Sequence, residues 1–271
     1  MPELPEVETT KNGISRLLKG RKVTTVKVHE RRLRLPIPDN IKTTLEGQTL
    51  LDITRRAKYL LFKFESGFLI VHLGMSGSLR VVPSITPKQK HDHLEINFGH
   101  ANCLRFRDPR RFGLVIWTEN NPITHKLLSR CGPEPLSHHF NGKYLHNSSK
   151  KRRISVKSFI MNGQIVVGVG NIYASEALFR AGINPNRLAG EISLSRYLKL
   201  GSHIKSVLTE AIAAGGTTLK DFLRDDGKPG YFRQKLQVYG RKGEPCTICS
   251  APIKHKVIAQ RSSFYCTKCQ S

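Results

Sequence analysis

The stretch YLLFKFESGFLIVHLG, residues 59–74, holds two apolar runs, Tyr59 to Phe64 and Phe68 to Leu73, separated by Ser66-Gly67 and closed by Gly74. Runs this short, rich in Val, Ile, Leu and Phe and broken by turn residues, read as β-strands joined by tight turns. The same pattern extends from Lys22 to about Thr118, which predicts a β-sandwich or flattened barrel. Upstream, Pro5 to about Leu18 reads as an amphipathic helix, with Pro and glutamates in its first turns and Gly20 just past its end.

Downstream the pattern changes. Residues 131–151, CGPEPLSHHFNGKYLHNSSKK, are polar and loop-like, and Lys151-Arg152-Arg153 closes them at a domain boundary. Two helices follow, Asn171 to Ala181 and about Ser193 to Ala214, joined by Gly182-Ile183-Asn184-Pro185, the second ending at Gly215-Gly216. A charged, glycine-bearing stretch, Thr217 to Phe232, then reads as a loop. The expected class is α+β. A catalytic β-sandwich domain with an N-terminal helix takes residues 1–132, a linker 133–150, a helical domain 151–236 and a zinc-ribbon hairpin 237–271.

Lys and Arg number 45 against 20 Asp and Glu in 271 residues, a formal charge of +25. So large an excess points to a polyanion, and nucleic acid, whose counterions are released on binding, is the natural one. No segment approaches the roughly 18 apolar residues of a membrane span. Glu3, Glu6 and Glu8 stand where a signal peptide would carry positive charge, so a cytosolic protein is expected.

Four of the six cysteines form two pairs, Cys246-x-x-Cys249 and Cys266-x-x-Cys269, sixteen residues apart. In a reducing compartment this spacing fits a four-thiolate zinc ribbon, with a redox dithiol as the alternative. Four thiolates complete a tetrahedral zinc and leave no position for water, so one structural ion is expected. Lys254, His255, Lys256 and Arg261 lie between the pairs, where a hairpin could aim them at phosphates. Cys103 and Cys131 read as small buried apolar residues.

Met1-Pro2-Glu3-Leu4-Pro5-Glu6-Val7-Glu8-Thr9, Arg56-Ala57-Lys58-Tyr59-Leu60, His72-Leu73-Gly74-Met75-Ser76-Gly77, Asp108-Pro109-Arg110-Arg111-Phe112-Gly113 and Val169-Gly170-Asn171-Ile172-Tyr173-Ala174, taken with the terminal ribbon, resemble the bacterial formamidopyrimidine-DNA glycosylases over the whole chain. The Pro-Glu-Leu-Pro-Glu start is more similar to these than to the sister endonuclease VIII, which favours oxidised pyrimidines. The resemblance implies a β-sandwich, a helical domain with a helix-two-turns-helix, and a zinc finger, with DNA in the cleft between domains. It also implies a base excision repair enzyme that excises 8-oxoguanine and formamidopyrimidines and cuts the abasic strand by β,δ-elimination, as a monomer in the bacterial cytoplasm associated with the nucleoid.

The resemblance makes Pro2 the nucleophile. Once Met1 is removed, its α-amino group titrates near about 7.7 to 8.0 and is partly neutral at cellular pH. Its attack on the sugar C1′ expels the base and leaves an iminium ion, the electron sink for strand elimination. Glu3 becomes the acid that opens the sugar, although a helix N-terminus and a nearby ammonium favour its ionised form, so its proton would come from Pro2. Glu6 could position the amine. Lys58 becomes a lesion-side phosphate contact and proton donor in β-elimination, and Arg261 a phosphate ligand that helps δ-elimination, more easily by electrostatics than by giving up a proton. Met75, Arg110 and Phe112 match three side chains that fill the hole left by a flipped base, with Arg110 on the orphaned cytosine. His91, Arg152 and Lys157 carry over as DNA contacts, as does Asn171, which would also cap the helix opened by Gly168-Val169-Gly170. At Arg152 the family commonly has lysine. Residues 217–231 correspond to a loop that closes over the lesion. A zinc-ribbon DNA-binding protein without catalysis is the alternative of another class.

Overall fold

In the computed structural model, which describes residues 2–99, 102–216 and 235–271, the first element is helix α1 (Leu4–Leu18). Its apolar positions Val7, Ile14 and Leu18 recur at helical spacing, and all three are buried in one core with both sheets. The strands are β1 (Val23–Val28), β2 (Leu50–Arg56), β3 (Tyr59–Phe64), β4 (Phe68–His72), β5 (Ser78–Pro83), β6 (Asp92–Phe98), β7 (Asn102–Arg107) and β8 (Leu114–Thr118), with a short helix α2 (Ile41–Leu45) between β1 and β2. They form two four-stranded antiparallel sheets, ordered β1-β6-β7-β5 and β2-β3-β4-β8.

Val26, Ile96, Leu104 and Phe106 from the first sheet share a core with Leu60, Phe62, Val71 and Val115 from the second, so the pattern is a sandwich. In β3 and β4 the intervening residues Leu61 and Ile70 are buried too. Burial on both faces is why these strands read as unbroken apolar runs instead of alternating ones.

The chain divides into two units, Met1–Ser129 with Ala214–Tyr231, and Arg130–Ala213 with Phe232–Ser271. The second holds helices α3 (Gly142–Ser149), α4 (Val156–Ile160), α5 (Asn171–Arg180) and α6 (Leu194–Ala213), and the hairpin β9 (Lys254–Ile258) and β10 (Arg261–Tyr265). α5 is buried from Ile172 to Phe179, and α6 inserts Tyr197, whose hydroxyl donates to the Ala189 carbonyl at 2.8 Å. The hairpin turns on Ala259 (φ 45°) and Gln260 (φ 60°), both left-handed, as a two-residue turn of type I′ requires.

The stretch read as a linker is in part helical. Asn141 caps α3 by accepting from the Tyr144 amide at 2.9 Å, and a Cβ at Gly142 would sit 2.4 Å from the Leu198 Cα, so α3 lies directly on the backbone of α6. Its polar sequence hides a helix formed by capping and close packing. Cys103 is buried as expected, whereas Cys131 is half-exposed. The expected lesion-capping loop, 217–231, lies outside the described residues.

Candidate active site and nucleic-acid interface

Pro2 and Glu3 are buried at the start of α1. Glu3 is the N-cap, one position before the helix, and forms a capping box with Glu6, whose Oε2 accepts from the Glu3 amide at 2.8 Å. The chain start is thereby fixed in direction. A Cβ at Gly216 would lie 3.0 Å from the Glu6 Oε1, so the backbone leading out of α6 runs against this carboxylate.

One turn further on, Glu8 reaches across to β2, its Oε2 accepting from the Arg55 Nε at 2.6 Å. Burial pushes the Glu8 carboxyl up, but hydrogen bonds from Lys11 and Arg55 outweigh it and hold the group below the usual carboxylate range. Arg55 also donates from Nη1 to the Ala57 carbonyl at 2.7 Å. That carbonyl belongs to the two-residue turn Ala57-Lys58, where Ala57 is left-handed (φ 56°). Lys58 thus sits in the β2–β3 turn, directly before β3, and Glu8 and Arg55 tie its position to the helix that follows Pro2 and Glu3. Beside it, His72 is pushed down to about 4 by burial and by the charges of Lys58 and Arg34. Its neutral Nδ1 accepts from the Gly74 amide at 3.0 Å and so orders the turn before Met75.

Met75, Arg110 and Phe112 come together on two loops of this unit. Gly74 is left-handed (φ 67°), and a Cβ on it would meet the Gly113 nitrogen and the Phe112 carbonyl carbon at 2.5 Å, so the loops touch backbone to backbone. Phe112 is 44% exposed, and the Arg110 guanidinium stands over its ring at 5.1 Å. His91 is half-buried and left-handed (φ 73°). Its desolvation and the neighbouring Lys90, His93, Arg107 and Arg111 charges push its pKa down.

In the second unit Asn171 is the first residue of α5, and Gly170 is the cap. This corrects the expected capping role. Freed from that task, Asn171 places its Nδ2 3.5 Å from the Tyr239 hydroxyl, while its buried Oδ1 has no partner among the described residues. Arg152 and Arg261 are exposed. Lys157 is not on the surface as a DNA contact would be: it is 1% exposed, and its Nζ donates to the Ser262 carbonyl at 2.9 Å and the Ser263 hydroxyl at 2.7 Å. A buried ammonium needs such acceptors, and these hold the strand that begins with Arg261.

Cys246, Cys249, Cys266 and Cys269 bring their sulfurs within 4.8 Å of one another, with Cys246 to Cys269 at 3.9 Å and Cys249 to Cys266 at 3.4 Å. Zinc–sulfur bonds of about 2.3 Å in a tetrahedron require sulfurs roughly 3.8 Å apart, so the four fit one zinc ion. Glu176, which the sequence did not single out, is fully buried in α5 and accepts from the amides of Gln237, Val238 and Tyr239 at 2.9, 3.0 and 2.9 Å. Burial raises its pKa, and the three amides oppose that shift. An acid on the buried face of an amphipathic helix is the one signal that could have marked it. Glu8, Arg55 and Asp108 also emerge only from the contacts.

The fold recurs in known proteins. A formamidopyrimidine-DNA glycosylase from Nitrosococcus oceani is 57% identical over 270 residues, covering all of both chains. The chain belongs to the formamidopyrimidine-DNA glycosylase family. The family's N-terminal domain model matches residues 1–115, its H2TH domain model residues 131–223, and the model of a zinc finger found in FPG and IleRS residues 243–271. A formamidopyrimidine-DNA glycosylase from Alkalilimnicola ehrlichii is 54% identical over 276 residues, again covering both chains. Among solved structures, MutM (Fpg) of Thermus thermophilus has a TM-score of 0.88 at 36% identity, covering 99% of this chain and 98% of its own. Lactococcus lactis Fpg in complex with abasic-site DNA has 0.92 at 31%, with full coverage of both. The glycosylase architecture of sandwich, H2TH unit and zinc finger is therefore the one read from the sequence. Among the described residues, no helix is long and apolar enough to cross a membrane.

Proposed function

We propose that this protein is a bifunctional DNA glycosylase and abasic-site lyase of base excision repair, which removes 8-oxoguanine and formamidopyrimidines through a Schiff base on Pro2. The observation that carries the reading is the chain start. Pro2 precedes a capping box of Glu3 and Glu6, and the Glu8–Arg55 pair links that helix to the turn bearing Lys58. With Met1 removed, the Pro2 amine attacks C1′ as the base departs, and the C1′–N bond to Pro2 replaces the C1′–N glycosidic bond. The base leaves with the glycosidic electron pair and takes a proton from water; Glu3 relays the amine's proton to the sugar ring oxygen, the C1′–O4′ bond breaks, and the nitrogen lone pair closes the C1′=N iminium. Loss of a C2′ proton from the resulting iminium expels the 3′ phosphate, and a second elimination expels the 5′ phosphate.

In this reading Lys58 and His91 hold the lesion-side backbone, Asn171 and Arg152 hold phosphates in the helical unit, and Arg261 stabilises the phosphate leaving in the second elimination. Phe112, Met75 and Arg110 replace the extruded base, Arg110 facing the orphaned cytosine. Lys157 supports Arg261 from beneath. One structural zinc on the four cysteines shapes the hairpin; with its coordination full it supplies no reactive water.

The functional parts are taken as 1–132, 151–236 and 237–271, with α3 joining 133–150 to the helical part. A monomer is part of this reading. Cysteines grouped as metal ligands support a reducing compartment, for which we propose the bacterial cytoplasm, at the nucleoid. MutM has been solved with carbocyclic 8-oxo-G containing DNA, which supports the oxidised-purine preference over an endonuclease VIII-like one.

The deciding experiment is borohydride trapping on 8-oxoguanine, thymine glycol and undamaged duplexes, with native and N-terminally acetylated protein. The native protein is expected to cross-link to 8-oxoguanine DNA and the acetylated one to bind without cross-linking. Trapping that prefers thymine glycol would overturn the specificity. Binding with no trapping at all would leave a non-catalytic DNA-binding protein.

A further inference from the structure

Asp108 is fully buried, with no role so far, between the β7 strand end and the loop that carries Arg110 and Phe112. Both of its oxygens accept hydrogen bonds, from the Ser76 hydroxyl on one loop and from two amides of the Arg110–Gly113 loop. Its Oδ1 accepts from the Ser76 hydroxyl at 2.9 Å and from the Arg110 amide at 3.3 Å; its Oδ2 accepts from the Gly113 amide at 2.8 Å. The Ser76 oxygen in turn lies 3.3 Å from the Arg110 amide, closing a three-membered ring of hydrogen bonds. On the main chain, the Asp108 amide donates to the His91 carbonyl at 3.1 Å, and its own carbonyl takes the His93 Nε2–H at 2.8 Å.

Ser76 follows Met75, and Arg110 and Gly113 bracket Phe112. We infer that Asp108 is a positioning residue, whose carboxylate locks the Met75 loop and the Arg110–Phe112 loop into a single wedge for the DNA stack. The inference rests on the reading above, in which those three side chains fill the space of the extruded base.

The chemistry accounts for an aspartate at this place. Three donors converge on two oxygens, and an ionised carboxylate is acceptor-only on both. Asparagine has the same shape, but its NH2 must face either the Gly113 N–H or the Arg110 N–H, and a buried donor facing a donor is lost as a bond. The backbone seam at Gly74 and Gly113 leaves no room for the loops to re-space and recover it. The hydrogen bonds of the Asp108 main chain to His91 and His93 survive the substitution, so wedge and phosphate contacts are separable.

The test compares wild type with Asp108→Asn in three measurements. Fluorescence of a 2-aminopurine placed opposite and next to the lesion reports insertion. Single-turnover excision of 8-oxoguanine from duplex reports chemistry that needs insertion. Borohydride trapping on a single-stranded abasic oligonucleotide reports the Pro2 chemistry where there is no stack to enter. Expected for Asp108→Asn is loss of the fluorescence rise and excision slowed about tenfold or more (~1.4 kcal/mol), with single-strand trapping within about twofold of wild type and the salt dependence of duplex binding unchanged. Retention of the fluorescence rise, or an equal loss of duplex excision and single-strand trapping, overturns the inference.

Should Asp108→Asn fail to fold, Ser76→Ala decides: it removes one link of the ring, and a weaker loss with the same split is expected. No loss in a folded Ser76→Ala protein refutes the lock. A wild type that traps on no abasic DNA instead sinks the proposed function itself, an outcome distinct from an active wild type with an unresponsive variant.

Discussion

Glu176 offers the most direct test of the energetics, because one carboxylate serves three amides where the chain enters the zinc module. Glu176→Ala leaves these amides without an acceptor. Only the Val238 bond is fully buried; those to Gln237 and Tyr239 are half-exposed and can recover part of their loss from water. At about 1 to 3 kcal/mol for a buried unsatisfied donor, with partial penalties for the other two and a cavity, the alanine variant should lose roughly 4 kcal/mol. Glu176→Gln keeps one oxygen for two amides but turns an NH2 toward the third, and it relieves the cost of a buried charge, so about 1 to 2 kcal/mol is expected.

For a unit of this size those losses correspond to falls in Tm of roughly 10 to 15 °C and about 5 °C. Calorimetry with zinc present should show them in the transition of the helical unit, and leave that of the sandwich unmoved. Hydrogen exchange at Val238 should rise in the same order. An alanine variant that melts within a degree or two of wild type, with Val238 still protected, would refute the reasoning.

Three further outcomes follow from contacts already described. His72 is neutral in the fold, with its pKa depressed from 6.5 to about 4, so as pH falls through this window the unfolded chain binds the proton first and stability is lost; the depression amounts to about 3 kcal/mol by pH 4. Urea unfolding of the sandwich at pH 7 and pH 5 should differ by about 2 kcal/mol more in wild type than in His72→Gln, and an equal pH dependence would rule out His72 as the source. Stripping zinc with a chelator should release the β9–β10 hairpin and abolish strand cleavage, and cobalt should give a tetrathiolate charge-transfer band; full cleavage by metal-free protein would contradict a structural zinc. Lys157→Met should keep the packing but free Ser262 and Ser263, raising exchange in β10 and weakening binding to abasic DNA about tenfold, and unchanged exchange would show that Lys157 does not anchor Arg261.

The sandwich was legible because β3 and β4, within residues 59–74, are buried on both faces and therefore unmistakably apolar. The ribbon was legible because metal coordination imposes spacing on its cysteines. α3 was not, since GKYLHNSS has weak helical propensity and owes its conformation to the Asn141 cap and to glycine-mediated contact with α6. Within the site, the family resemblance pointed to Pro2, Glu3 and the proposed wedge side chains, but not to the residues packed around them. Lys157 carried over from the resemblance as a DNA contact, and its sequence neighbours held no sign that it is buried against Ser262 and Ser263. Glu176 collects amides from a segment some sixty residues away, and Asp108 joins two nearby amides to the Ser76 hydroxyl of another loop; which donors converge on a carboxylate is decided by tertiary structure, not by local pattern.

The contact between Gly74 and Gly113 has an evolutionary corollary. Because a side chain on Gly74 would strike the Phe112–Gly113 backbone, and one on Gly113 would strike Phe106, the Asp108 carboxylate and the His72 carbonyl, the two turns have to be inherited as a pair. Grafting one of them from a relative with a different lesion preference should give a poorly inserting hybrid, whereas exchanging both in one step transfers the whole intruding surface.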